Sequence, residues 1–167
     1  MMRSMRWYLL ACVFAAAMIV IWFTTRMKMI DPPETIWKLH RMELFNGEKA
    51  RAAVNDLHGS DLAPKDNFAA NYVSPDGCAS LYISFYENNA LATQEMERMA
   101  GIVQSGFIPD YSRFRRIEME KIPIVVVQGM RKFHYIFTYR NGLYWFDIDA
   151  PAAQSTMREF VRYLRKQ

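Results

Sequence analysis

The chain has 167 residues, with 21 Lys and Arg against 17 Asp and Glu, a net charge of +4. Residues 1–33 hold four of those cations and one of the acids, which leaves 17 against 16 in residues 34–167. Nucleic-acid-binding domains concentrate Lys and Arg on one face, so a nearly neutral remainder argues against nucleic acid as a partner and assigns the excess charge to the N-terminal end.

Residues 1–6 read as a short basic tail carrying Arg3 and Arg6. Residues 7–23 contain no charge. As a helix that run spans roughly 26 Å, slightly less than the ~30 Å of a bilayer hydrocarbon core. Trp7, Tyr8 and Trp22 suit the membrane interfaces, and Arg26 and Lys28 can snorkel toward water. The expectation is a transmembrane signal-anchor helix over residues 7–25, in contact with membrane lipid. A cleaved signal peptide needs small residues at −3 and −1 after its apolar core. Thr24-Thr25-Arg26 fits that poorly, and Ala15-Ala16-Ala17 lies inside the apolar run. Leu9-Leu10-Ala11-Cys12 resembles a lipoprotein box, but the run continues from Val13 to Phe23, where a lipoprotein turns polar. An uncleaved anchor is the reading favoured over both. Basic residues flank both ends, so charge alone does not orient the span. A short basic tail ahead of an apolar run is the form of a signal anchor, which points to a bacterial inner-membrane protein with its domain on the periplasmic or extracytoplasmic side.

Residues 26–33 form a juxtamembrane joint stiffened by Pro32-Pro33, which disfavour helix continuation. Residues 34–167 have the size of one ordinary domain. Ala50, Ala53, Val54 and Leu57 recur at helical spacing, with Asn46 as N-cap and Gly59 as stop. Asp76-Gly77 marks a turn that leads into a strand starting near Cys78. In Ser80–Tyr86, Leu81, Ile83 and Phe85 share one face, and Tyr82 and Tyr86 the other. Ala92, Met96, Met99, Ala100 and Val103 make a second helical stripe, begun by Asn88 or Asn89 and stopped by Gly106. Arg115–Glu120 alternates Ile117 and Met119 with charges, and Ile124–Val127 is an apolar run suited to an interior strand.

Asn141-Gly142 lies between two strand-like runs, a strong signal for a two-residue type I′ hairpin. That turn would set Tyr139 opposite Tyr144, Phe137 opposite Phe146, Ile136 opposite Asp147 and His134 opposite Asp149. Phe133, Tyr135, Phe137, Tyr139, Tyr144, Phe146 and Ile148 then share a core face. His134, Ile136, Thr138, Trp145, Asp147 and Asp149 share the other. A last helix starts after Pro151, a favoured first-turn residue, and runs through Met157, Phe160, Val161 and Leu164. Its Arg158, Arg162, Arg165 and Lys166 read as a solvated face complementing the C-terminal end of the helix dipole.

Several residues invite a chemical reading. His134 beside Asp147 and Asp149 has the elements of an acid–base pair, but nothing near in sequence supplies a nucleophile or metal. A surface ion pair beside a half-exposed Trp145 is the simpler account. His134, Ile136, Trp145, Asp147 and Asp149 then form a candidate interaction patch, an apolar centre with a charged rim. His58-Gly59-Ser60-Asp61 has the residue types of a hydrolase triad, but triads assemble from distant segments. His40 has no partner at metal-ligand spacing. Arg113, Arg115 and Arg116 suggest an anion patch, except that alternation sends Arg115 and Arg116 to opposite faces. Cys78 reads as a small buried residue, and Cys12 lies in the apolar run, so no internal disulfide is expected. No catalytic set, metal site or cofactor site is assigned.

The expected architecture is α+β: an N-terminal transmembrane helix followed by one two-layer domain, mainly antiparallel sheet with helices packed on one face. The expected function is non-enzymatic: a single-pass membrane protein whose extracytoplasmic domain binds a membrane-protein partner, as an accessory or assembly subunit. The alternative is a periplasmic small-ligand or lipid-binding module, with its pocket between the aromatic sheet face and the helices.

Overall fold

The computed structural model describes residues 29–58, 63–106 and 111–167. The segment expected to form an anchor, with Trp7, Tyr8, Trp22, Arg26 and Lys28, lies outside them, as do Gly59, Ser60 and Asp61. Among the described residues no helix is long and apolar enough to cross a membrane.

In chain order the elements are β1 (Thr35–Ile36), β2 (Leu39–Asn46), α1 (Gly47–His58), β3 (Asp66–Ser74), β4 (Gly77–Phe85), α2 (Asn89–Gln104), β5 (Tyr111–Met119), β6 (Ile122–Gly129), β7 (Lys132–Tyr139), β8 (Gly142–Asp149) and α3 (Ala153–Arg165). The strands form one eight-stranded sheet ordered β1-β2-β3-β4-β8-β7-β6-β5. Every neighbouring pair is antiparallel. Among the described residues the architecture is thus α+β with one large antiparallel sheet and three helices, as its pattern of short-linked strands leads one to expect.

The helices do not all lie on one face, and here the expectation is corrected. Met157, Phe160, Val161 and Leu164 of α3 pack on the aromatic face with Phe137, Tyr144, Phe146 and Ile148. Met96, Met99, Ala100 and Val103 of α2 pack on the other face with Val125, Val127, Ile136 and Trp145, joined by Leu57 of α1. Period-two alternation explains the split. The central strands are apolar on both sides, so each side needs its own cover. In β6, Ile124 and Val126 belong to one core and Val125 and Val127 to the other.

The hairpin register also differs from the one expected. The two turn residues are Arg140 and Asn141, and Gly142 is the first residue of β8, opposite Tyr139. Phe137 therefore faces Tyr144, Ile136 faces Trp145 and His134 faces Asp147. Two contacts explain the shift. The Asn141 side chain donates to the Tyr86 carbonyl at 2.9 Å, and the Asn141 carbonyl accepts from the Tyr86 N–H at 2.9 Å. Asn141 is thereby tied to the end of β4. Gly142 is needed for close approach instead of turn geometry, because a Cβ there would lie 2.8 Å from the Tyr144 ring. The left-handed position falls on Arg140, at φ 54°. Since the slip is even, every side chain keeps its face while every cross-strand partner changes.

The Pro-Pro segment is part of the domain. Ile30 is buried in the aromatic-face core. The carbonyls of Asp31 and Pro33 accept from the Tyr163 and Tyr72 hydroxyls, each at 2.9 Å. Arg41 donates to the Pro32 carbonyl. The joint is pinned to the body that it precedes.

Candidate functional site

The face covered by α1 and α2 carries the buried His134 and Asp147 of the sheet. Strand pairing lines up Glu43 (β2), Asn71 (β3), Ser80 (β4), Asp147 (β8) and His134 (β7) in one row across five strands. Hydrogen bonds run along it. Asn71 donates to the Glu43 carboxylate at 2.9 Å, and Ser80 donates to the Asn71 side-chain oxygen at 3.1 Å. At the other end, His134 Nδ1 lies 2.6 Å from Asp147 Oδ1. The same carboxylate oxygen accepts from the Trp145 indole N–H. Nearby, Ser84 donates to Asn67 at 2.9 Å within the buried part of this face.

The His134 end is enclosed. His134 is 3% exposed, Trp145 6% and Asp147 8%. The Tyr111 ring meets the imidazole edge-on at 4.8 Å between centroids. His134 Nε2 lies 3.1 Å from the Gly129 carbonyl, so both ring nitrogens face oxygens and only a doubly protonated ring donates to both. Neither nitrogen points at Ser80, although Ser80 sits opposite Asp147 in the adjacent strand. A Ser–His–Asp relay requires the imidazole between the other two. Here the carboxylate is in the middle and the imidazole bridges β7 to β8 and to β6. What the geometry builds is a cross-strand tie, in which Asp147 accepts from two buried donors, His134 and Trp145. The neighbouring Tyr82 hydroxyl is pushed up from its usual range by burial, and further by the Asp147 carboxylate.

The sequence-derived patch is therefore a buried cluster and not a surface. His134, Ile136, Trp145 and Asp147 lie beneath α2 and Tyr111. The even slip in register, which brings His134 opposite Asp147, and the second helix layer together account for this. Of the five, Asp149 alone is in part exposed. Its carboxylate accepts the Cys78 backbone N–H at 2.8 Å and sits against Gly77, where a Cβ would approach to 2.9 Å.

One row further along the strands the helices no longer cover the sheet. His40, Val73 and Cys78 pair in turn, Asp149 pairs with Lys132, and the Cys78 N–H bond to the Asp149 carboxylate joins the two parts into this outer row. His40 and Cys78 are exposed, and Val73 is 39% exposed. Cys78, expected to be buried, is an exposed free thiol, because it lies beyond the reach of α1 and α2. Thr35 and His40 side chains meet at 3.4 Å. The row ends at an open groove of about 710 Å³ between Asp76, Gln128, Arg131 and Asp149. This strip is the candidate functional surface. Sequence reasoning missed it because it depends on where helix cover stops, although the Asp76-Gly77 turn marks its edge.

The remaining candidates separate. Arg116 forms a two-point pair with Glu97 of α2, at 2.6 and 2.8 Å, which holds the Glu97 carboxyl below its usual range. Arg113 donates to the Gln128 side chain at 3.2 Å. Arg115 and Arg116 lie on opposite faces, as alternation requires. Arg162 and Arg165 of α3 approach Glu120 at 3.8 and 2.9 Å. No group of three His, Cys, Asp or Glu among the described residues has metal-binding geometry. Phe160 occupies the space between the aromatic face and α3, with ring centroids 5.1 Å from Phe146, 6.0 Å from Tyr144 and 6.4 Å from Phe137. The chain matches no protein-family model, no curated protein and no solved structure.

Proposed function

We infer that the chain is a single-pass membrane-anchored protein whose domain binds another protein, as an accessory or assembly subunit of a bacterial membrane complex, on the extracytoplasmic side. The anchor half of this reading rests on the uncharged run 7–23 between basic flanks. The binding half rests on one observation above all: the outer row of the sheet, from His40 through Val73, Cys78 and Asp149 to Lys132, has no helix over it among the described residues. A surface mixing apolar and charged side chains across several strands suits protein contact. The His134–Asp147–Trp145 cluster supports the reading indirectly, since its polar atoms are spent on holding strands together. No observation favours the ligand-binding alternative, because Phe160 fills the space that it requires.

The test is copurification of the full chain from gently solubilised membranes. A defined partner is expected to be recovered with the wild type, and to be reduced at least several-fold by Val73→Arg or Lys132→Glu. A strictly monomeric particle with no associated protein would reject the binding half. Protease access in spheroplasts tests sidedness: cleavage of the domain is expected, and protection of an intact domain would reverse the orientation.

A further inference from the structure

Among the described residues the sheet ends on β5, which has a neighbour on one side only. At the opposite edge, two-residue β1 covers the start of β2 and a bulge at Met42 interrupts the rest. In β5 the irregularity is confined to the stretch between Ser112 and Arg115. Residues 115–119 pair with β6 without a break, Arg115 with Val126 through Met119 with Ile122.

The turn fixes which backbone groups of β5 are unused. Glu120 and Lys121 both have positive φ, 52° and 66°, so Met119 and Ile122 flank a two-residue turn and form a hydrogen-bonded pair. Such pairs alternate along an antiparallel ladder. Arg115, Ile117 and Met119 therefore bond to β6, while Arg116 and Glu118 aim their N–H and C=O groups outward. Ile117 and Met119 are partly buried on the aromatic side, and Arg115, Arg116 and Glu118 are exposed.

We propose that β5 pairs antiparallel with β5 of a second copy, Ile117 opposite Ile117. In this register Arg116 of each copy lies opposite Glu118 of the other, twice by symmetry, in the positions whose backbone groups point outward. Ile117 meets its counterpart at the two-fold axis in a non-hydrogen-bonded pair, where side chains approach most closely. A two-fold interface must be self-complementary, and the two neighbouring registers are not: one sets Glu118 opposite Glu118, like charges that oppose pairing, and the other sets Arg116, already paired with Glu97 of its own α2, opposite Arg116 and runs Glu118 against the irregular stretch before Arg115. The charge order Arg-Ile-Glu thus selects one register. This proposal concerns a different edge from the candidate surface and does not depend on it.

The test uses two charge-reversed full-length chains, Glu118→Arg and Arg116→Glu, purified in mild detergent with different tags. Light scattering should show a wild-type dimer. Each reversed chain alone should dissociate about tenfold more readily, from two like-charge contacts. Mixing them should restore the dimer, since every 116–118 contact is then opposite in sign. Ile117→Cys, with Cys12 and Cys78 replaced by Ser, should form an interchain disulfide in native membranes, a readout independent of charge. Circular dichroism melts check that each variant folds. A wild type that stays monomeric, a dimer unmoved by either reversal, or a mixture no tighter than its components would overturn the proposal.

Discussion

The two faces of the sheet are both buried, yet they are closed by different means. On the aromatic face, α3 inserts Phe160 among Phe137, Tyr144 and Phe146, and the contact is hydrocarbon against hydrocarbon. On the other, α1 and α2 cover a surface that carries Asn67, Ser84, His134 and Asp147 as well as apolar side chains. There each polar atom needs a partner placed for it. The first kind of closure tolerates small shifts and loses energy roughly in proportion to area. The second depends on register, because a partner moved by two residues is no longer a partner.

Deleting the central ring should have the largest effect. Phe160→Ala removes a side chain that is 0% exposed and is expected to destabilise the domain by about 3–5 kcal/mol, read from the urea midpoint. Cavity creation is the cause, so Phe160→Leu should recover much of the loss. If Phe160→Ala melts like the wild type, α3 is not what closes this face.

The corresponding break on the polar face is Asp147→Ala. It leaves the His134 and Trp145 donors buried without their acceptor, with an expected cost of roughly 3 kcal/mol. The distinguishing measurement is a double-mutant cycle. His134→Leu with Asp147→Leu removes both partners and should cost clearly less than the sum of the two single changes. Additive losses would mean that the pair is not coupled.

These two sites also divide what could be read from the chain alone. The stripe Met157, Phe160, Val161, Leu164 announces its helix because helical spacing survives without knowledge of neighbours, and Ala92 through Val103 does the same. The alternation in residues 133–148 assigns every side chain to a face. Which residues sit opposite one another was not legible, since Asn-Gly is the stronger local turn signal and it yielded to the tie between Asn141 and Tyr86. Strand β2 was missed for a different reason. It is covered by two-residue β1 only at its start, and most of its side chains are exposed, so it shows no apolar alternation. In β3, Ala69 and Ala70 have weak strand preference, and what holds them is the helix and strands around them. Burial of the His134 cluster required knowing that a helix covers each face, which period-two patterning in one hairpin does not disclose.

Alkaline titration probes both faces together. Burial pushes the Tyr72, Tyr82, Tyr135 and Tyr144 hydroxyls above the ordinary 10.0, and Tyr86 up to about 12. The folded chain holds these protons where the unfolded chain releases them. Stability from this source is complete below pH 10 and falls as pH rises from there through the folded-state values. Denaturant midpoints should drop between pH 10 and 12, and Tyr144→Phe should make the drop shallower. A flat profile over that interval would contradict the burial of these hydroxyls.

The smallest effect gives the sharpest contrast, because one chemical change should have opposite signs on the two faces. The Tyr144 and Thr156 hydroxyls are buried on the aromatic side without a hydrogen-bond partner among the described residues. The Ser84 hydroxyl, buried on the polar side, donates to Asn67. A buried hydroxyl without a partner keeps its full desolvation penalty, whereas a bonded one returns a net gain of about 1 kcal/mol. Tyr144→Phe and Thr156→Val should therefore each stabilise the domain by about 1 kcal/mol, with little loss of packing volume. Ser84→Ala should destabilise it by a similar amount, because it strands the Asn67 oxygen. Thermal midpoints of the three variants, measured at pH 7 where these tyrosines stay protonated in both states, decide the matter by sign alone. Three losses of equal size would mean that the aromatic face, too, is held by polar contacts.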